Sequence, residues 1–164
     1  MKNLVKLCAS LGVWLCLGCR PEAASLTETH ASAIRDSVAA ALDRFRDLGA
    51  AADWEAVGDF YSESPAFRFH ENGELRYPTS ADVRAALAEF PPGMRTETTY
   101  RDTEIEALGP GLALVHALFE STFSSDGGFE FSFGGAVTML WAHETGGWRI
   151  LNGHSSAPVS REGW

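Results

Sequence analysis

Between Ile34 and Leu48 the apolar residues Ile34, Val38, Leu42, Phe45 and Leu48 recur at steps of three and four, drawing one stripe along a helix. Ser25-Leu26-Thr27-Glu28 ahead of the stripe fits a capping box and Gly49 marks a stop, so the pattern predicts a helix over about 25–48. Asp53 caps a second, short helix that buries Trp54, Val57 and Phe60 or Tyr61. The runs Phe67-Arg68-Phe69-His70 and Glu74-Leu75-Arg76-Tyr77 flank Asn72-Gly73, two residues that tolerate positive φ and so mark a tight hairpin. A third helix opens at Thr79-Ser80-Ala81-Asp82, turns Val83, Leu87 and Phe90 to one side, and ends at Pro91-Pro92-Gly93.

From Arg95 the period changes to two. Four strands are predicted, 95–108, 112–123, 129–144 and 148–156, joined by Gly109-Pro110-Gly111, Ser124 to Gly128 and Thr145-Gly146-Gly147, all short enough for antiparallel hairpins. Gly134-Gly135 interrupts the alternation of Phe129, Phe131 and Phe133, which suggests a bulge or a sharp bend. Helices first and a long meander afterwards make an α+β domain, with the helices on one face of a strongly curved, mostly antiparallel sheet. In the last strand Trp148, Ile150, Asn152, His154 and Ser156 alternate with Arg149, Leu151, Gly153 and Ser155. One face therefore carries an indole, an aliphatic group, a carboxamide, an imidazole and a hydroxyl, the composition of a pocket wall, and His154 is expected to point inward beside Ile150 and Asn152.

Residues 1–18 stand apart. Lys2 and Lys6 precede an apolar run from Leu7 to Leu17 that is too short to span a bilayer, the pattern of an export signal. Cys8, Cys16 and Cys19 all lie in or next to it, so the folded domain has no disulfide framework. Leu15-Cys16-Leu17-Gly18-Cys19 resembles a bacterial lipobox, with Cys16 where an aliphatic residue is usual. That resemblance implies a lipidated Cys19 on the periplasmic side of a bacterial envelope, as an outer-membrane lipoprotein. Plain secretion or an uncleaved anchor is the alternative. The chain then divides into a tether over 19–24, a domain over 25–158 and a tail over 159–164. Without residues 1–18, eleven arginines face twenty-two acidic residues, a formal charge of −11. Nucleic acid is excluded as a partner because phosphate binding needs a concentrated positive surface.

The order of elements, with Asp53-Trp54 opening the second helix, Tyr61 before the first strand, Thr138 to Trp141, and Gly147-Trp148-Arg149-Ile150 followed by His154-Ser155-Ser156, resembles the SnoaL-like proteins of the nuclear transport factor 2-like superfamily over about 31–156. The resemblance implies a cone with a hydrophobic cavity between helices and concave sheet, commonly in a homodimer paired through the sheets. Its members include isomerases, dehydratases, cyclases and epoxide hydrolases alongside proteins that only bind or assemble, so activity does not follow from fold. Many relatives also carry histidine at the position of Asn152, a departure that weakens a two-histidine mechanism here.

The groups that could work in such a cavity are few. His154 has the near-neutral pKa of a proton shuttle, but a backbone carbonyl could equally hold it in a structural role. Trp54, Tyr61, Phe69 and Trp141 offer apolar faces for a cavity lining and would serve as well in a core. His116 and Glu120 share a strand face with Leu112, Leu114 and Leu118; a base and an acid within reach of each other, or a sheet face covered by a second subunit, explains that mixture, and the interface is preferred. No metal site is expected, because His30, His70, His116, His143 and His154 lack H-x-H and H-E-x-x-H spacing. No cofactor is implied, nucleophile elbows are absent, and the paired glycines join strands to strands rather than cradling phosphate. The readings left are a binder of a small apolar or amphipathic molecule, a small isomerase, lyase or hydrolase using His154, and a structural dimerisation module.

Overall fold

The computed structural model describes residues 26–158. Cys19, the tether before Leu26 and the segment after Pro158 lie outside the described residues. Three helices, α1 (Glu28–Ala50), α2 (Trp54–Gly58) and α3 (Ser80–Ala88), pack on a six-stranded sheet of β1 (Arg68–Glu71), β2 (Glu74–Tyr77), β3 (Arg95–Gly109), β4 (Leu112–Ser124), β5 (Glu130–Glu144) and β6 (Gly147–Ser156). The spatial order is β2-β1-β6-β5-β4-β3. All neighbours are antiparallel except β1 and β6, which run parallel. This is the α+β arrangement that the order of elements predicted, and it is consistent with the cone that the resemblance implies.

Helix α1 starts on Thr27, whose side chain accepts the His30 backbone N–H; Ser25 lies outside the described residues. It buries Ala31, Ile34, Val38 and Leu42 against the sheet. Gly49 is not its stop. The helix runs through Gly49, which sits against Thr96 where an added Cβ would meet Cγ2 at 3.3 Å, and Ala52 at φ 58° takes the left-handed position instead. The first half of the helix is held by Trp148, whose Nε1–H donates to Ser37 Oγ at 2.9 Å, while that hydroxyl donates to Ile34 O. Helix α3 has the reciprocal capping box of Thr79 and Asp82.

Strand β6 is bonded along both edges. Its pairing with β5 runs Ala136↔Ser156 to Leu140↔Asn152, then Trp141↔Ile150 to Glu144↔Gly147, so Leu151 is an extra residue opposite no partner. On the other edge Ile150 N–H donates to Phe60 O at 2.7 Å and Ser62 N–H donates to Ile150 O at 3.0 Å, before β1 takes over from Arg68↔Asn152 to Glu71↔Ser155. The expected bulge at Gly134-Gly135 is absent. β4 and β5 stay in register through Phe119↔Gly135 and Glu120↔Gly134. Glycine is needed there for close approach, since a Cβ on Gly135 would fall 1.9 Å from the Ser156 carbonyl oxygen.

Inward-facing Trp141, Ile150, Val115 and Val38 are fully enclosed and form the centre of the core with Phe60 and Phe67. Gly153 also faces inward, and a Cβ on it would sit 2.3 Å from the Phe69 ring. Gly153→Ala should therefore push that ring off its seat and cost about 1–3 kcal/mol, the usual range for overpacking, measured by chemical denaturation. An unchanged denaturation midpoint would mean that Phe69 yields freely.

Candidate functional site

Between the helices and the inner sheet face lies a cavity of about 310 Å³. Phe45, Tyr61, Phe69, Tyr77, Tyr100 and Phe119 supply its aromatic wall, and α3 closes one side with Val83 and Leu87. The rings hold one another by edge contacts: Tyr61 lies 6.0 Å from Phe45, 6.0 Å from Phe67 and 6.3 Å from Phe69 between centroids. At the wide end a chain of rings runs Trp54, Phe90, Phe123, Phe133, Phe131, with successive centroids 4.8, 5.9, 5.9 and 5.7 Å apart. Phe131 and Phe133 are exposed there, as is Phe129, making an apolar lip.

Polar groups occupy two places on the wall. Thr98 and Ser121 bond each other at 2.8 Å on the β3–β4 side, near Thr96. On the β1–β6 side stand Glu71, Asn72 and Ser155. Burial pushes the Tyr61 phenol far up, helped by the neighbouring Tyr100, Tyr77 and Glu71, and pushes Tyr100 to about 12 against a small lowering by Arg46. Both remain O–H groups across the physiological range. The Glu71 carboxyl is raised by partial burial, and Arg76 works weakly the other way across a 3.9 Å gap.

Trp54, Tyr61 and Phe69 lie on the cavity wall; three other expected site residues do not. Trp141 is wholly enclosed in the core, edge-on to Phe60 at 6.1 Å. Asn152 and His154 face the outside of the sheet, because the extra residue Leu151 reverses the alternation after Ile150. His154 is exposed beside His70 and Thr138, and Asn152 stands between Arg68 and Leu140. The inward places pass to Gly153 and Ser155. A glycine inside a strand pattern is the signal for such a bulge or close approach, and Gly153 carried it. Glu71, Tyr77 and Tyr100 were missed as lining. Glu71 was legible as the residue two beyond Phe69 on one strand face.

His116 and Glu120 do not work together. His116 Nδ1 is 3.0 Å from Thr138 Oγ1, and Glu120 pairs with Arg101 at 2.9 Å on the outer sheet face. Among the described residues no three histidine, cysteine or acidic side chains gather as metal ligands.

A helix-backed, cone-like sheet enclosing an aromatic cavity defines the class of nuclear transport factor 2-like folds. Solved structures agree. A proposed scytalone dehydratase from Novosphingobium aromaticivorans superposes with a TM-score of 0.70 at 8% identity, covering 81% of this chain and 89% of its own. A nuclear transport factor 2-like superfamily protein from Salmonella enterica gives 0.62 at 18%, covering 85% and 100%. The beta subunit of benzoate 1,2-dioxygenase from Burkholderia mallei gives 0.61 at 15%, covering 74% and 88%. No curated protein matches the sequence. A model of the SnoaL-like domain matches residues 38–160, and the chain belongs to that family.

Because His154 is exposed and on the far side of the sheet from the cavity, His154→Ala should change stability by no more than about 0.5 kcal/mol. It should also leave the binding of any cavity ligand unchanged. Weakened binding, by titration calorimetry, would return the imidazole to the site.

Proposed function

We propose that this SnoaL-like domain binds a small apolar or amphipathic molecule in the cavity without transforming it. The observation that carries the reading is the cavity itself: about 310 Å³, open, walled by aromatic rings and supplied with a few polar groups. A cavity packed with side chains would have favoured a purely structural module. The enzyme reading loses His154, the group on which it rested. It retains one favourable observation, a carboxyl with raised pKa at Glu71, a group able to exchange a proton with a substrate, on the same wall as the Tyr61 phenol, a hydrogen-bond donor. Native mass spectrometry of the purified domain tests binding. A co-purifying small molecule that is released unchanged on denaturation is expected; the absence of both a bound mass and a thermal shift with apolar probes would leave the structural module.

The setting of that activity in this proposal is a homodimer tethered to the envelope through an acylated Cys19. Support for pairing is the outer sheet face, where Leu114, Leu118 and Leu140 stand among His116, Thr138 and Asn152 with Leu118 41% exposed. Support for the tether is the charged start, the apolar run and the small residue Gly18 before Cys19. One experiment reads both. Cys19→Ser should move the protein from the membrane fraction to the soluble one, and the released protein should scatter light at twice the monomer mass. A wild type that is already soluble overturns the anchor, and a monomer at high micromolar concentration overturns the pairing.

A further inference from the structure

We propose, building on the cavity-binding reading, that Glu71 makes the cavity selective for amphiphiles with a hydrogen-bond-donating head, a protonated amine above all, and against those with a carboxylate or phosphate head. Glu71 closes β1 in register with Ser155 of β6 and on the same face as Phe69, which places it on the wall beside Tyr61 and Tyr77. Among the described residues it is the only acidic group of the lining, and no lysine, arginine or histidine of the described lining accompanies it. An anionic head would enter against this charge with no cation on the described wall to meet it, whereas a donor meets an acceptor.

Asn72, beside Glu71, is engaged through its side-chain oxygen and its backbone N–H. Asn72 Oδ1 accepts the Ala157 N–H at 2.9 Å, and Asn72 N–H donates to the Ser155 carbonyl. These two bonds hold the end of β6 at the mouth and leave Glu71 as the charged acceptor. Arg76, on the neighbouring strand, is the nearest cation. Its Nε stands 3.9 Å from Glu71 Oε2 with the side chain 62% exposed, and its guanidinium lies over the Tyr77 ring at 5.5 Å. A pair so loose and wet contributes little and does not satisfy the carboxylate. The rings of Tyr61 and Phe69 beside the carboxylate then receive the apolar chain of such a ligand.

The test compares three probes with one chain and different heads, decylamine, decanol and decanoate, by titration calorimetry against the full domain and against Glu71→Gln and Glu71→Asp. The wild type should bind decylamine about tenfold or more tighter than decanoate, with decanol between, as expected for one charge-assisted hydrogen bond. Glu71→Gln should erase that order and Glu71→Asp should keep it. Decanoate binding as tightly as decylamine in the wild type overturns the proposal, whatever the variants do. So does an order unchanged in a folded Glu71→Gln. Naphthalene separates this failure from failure of the underlying reading. Naphthalene and decanol binding without any gain for the amine removes only the role of Glu71, whereas no binding by any of the four removes the cavity reading and the selectivity with it.

Discussion

The whole site hangs on strand β6, which is hydrogen-bonded along both edges and so cannot shift without breaking two sets of bonds. Around Ile150 the backbone is claimed by Phe60 and Ser62 on one side and by Trp141 on the other. The extra residue Leu151 is accommodated between these fixed points. Beyond it the strand resumes with its faces exchanged, so Gly153 and Ser155 turn inward while Asn152 and His154 turn out. Removing the side chain at Gly153 makes room for the Phe69 ring, and Phe69 in turn meets Tyr61 and Tyr77. A single inserted residue thus decides both what the cavity contains and what the outer sheet shows.

The cavity's chemistry follows from the burial of two of its phenols, Tyr61 and Tyr100. Tyr61 and Tyr100 cannot ionise under ordinary conditions, so they offer O–H dipoles rather than charge. Glu71, only partly buried, is the one charged group on that wall among the described residues. Its position at the end of β1, next to the turn at Asn72-Gly73 where both φ angles are positive, puts it where the chain leaves the sheet. The hairpin turn therefore serves two purposes, since the same Asn72 that allows the tight reversal also secures the end of β6.

Most of the architecture was legible because it is written in periods. The stripe from Ile34 to Leu48, the Asn72-Gly73 turn and the Thr79 cap each have a local cause that survives in the folded molecule. Strict alternation failed in β6, where nothing in Trp148 to Ile150 announces the extra residue and only Gly153 hints at it. The cause is tertiary: the pull of Phe60 and Ser62 on Ile150 comes from a segment some ninety residues earlier. Gly134-Gly135 suggests a bulge or a sharp bend for the same want of context, since glycine answers equally to a bulge and to the close approach of another backbone. Trp141 was placed on the cavity wall, although alternation alone cannot distinguish an inward residue above the cavity from one beneath the packed half of α1. Glu71 was overlooked because a carboxylate beside a hairpin turn has the sequence context of a solvated residue.

Helix α1 has a direction, and it matters for how the molecule meets its surroundings. Its first half packs near Trp148 and the β5–β6 turn, at the closed end of the cone, and its last turn reaches Thr96 near the open end. Ser37 and Gly49, the residues that make these two contacts, lie about 18 Å apart along the helix. The first half is tied through Ser37 to Trp148 of the core, and the last turn packs on Thr96 of the cavity wall, so one helix couples the packed centre of the molecule to the surface a ligand would meet.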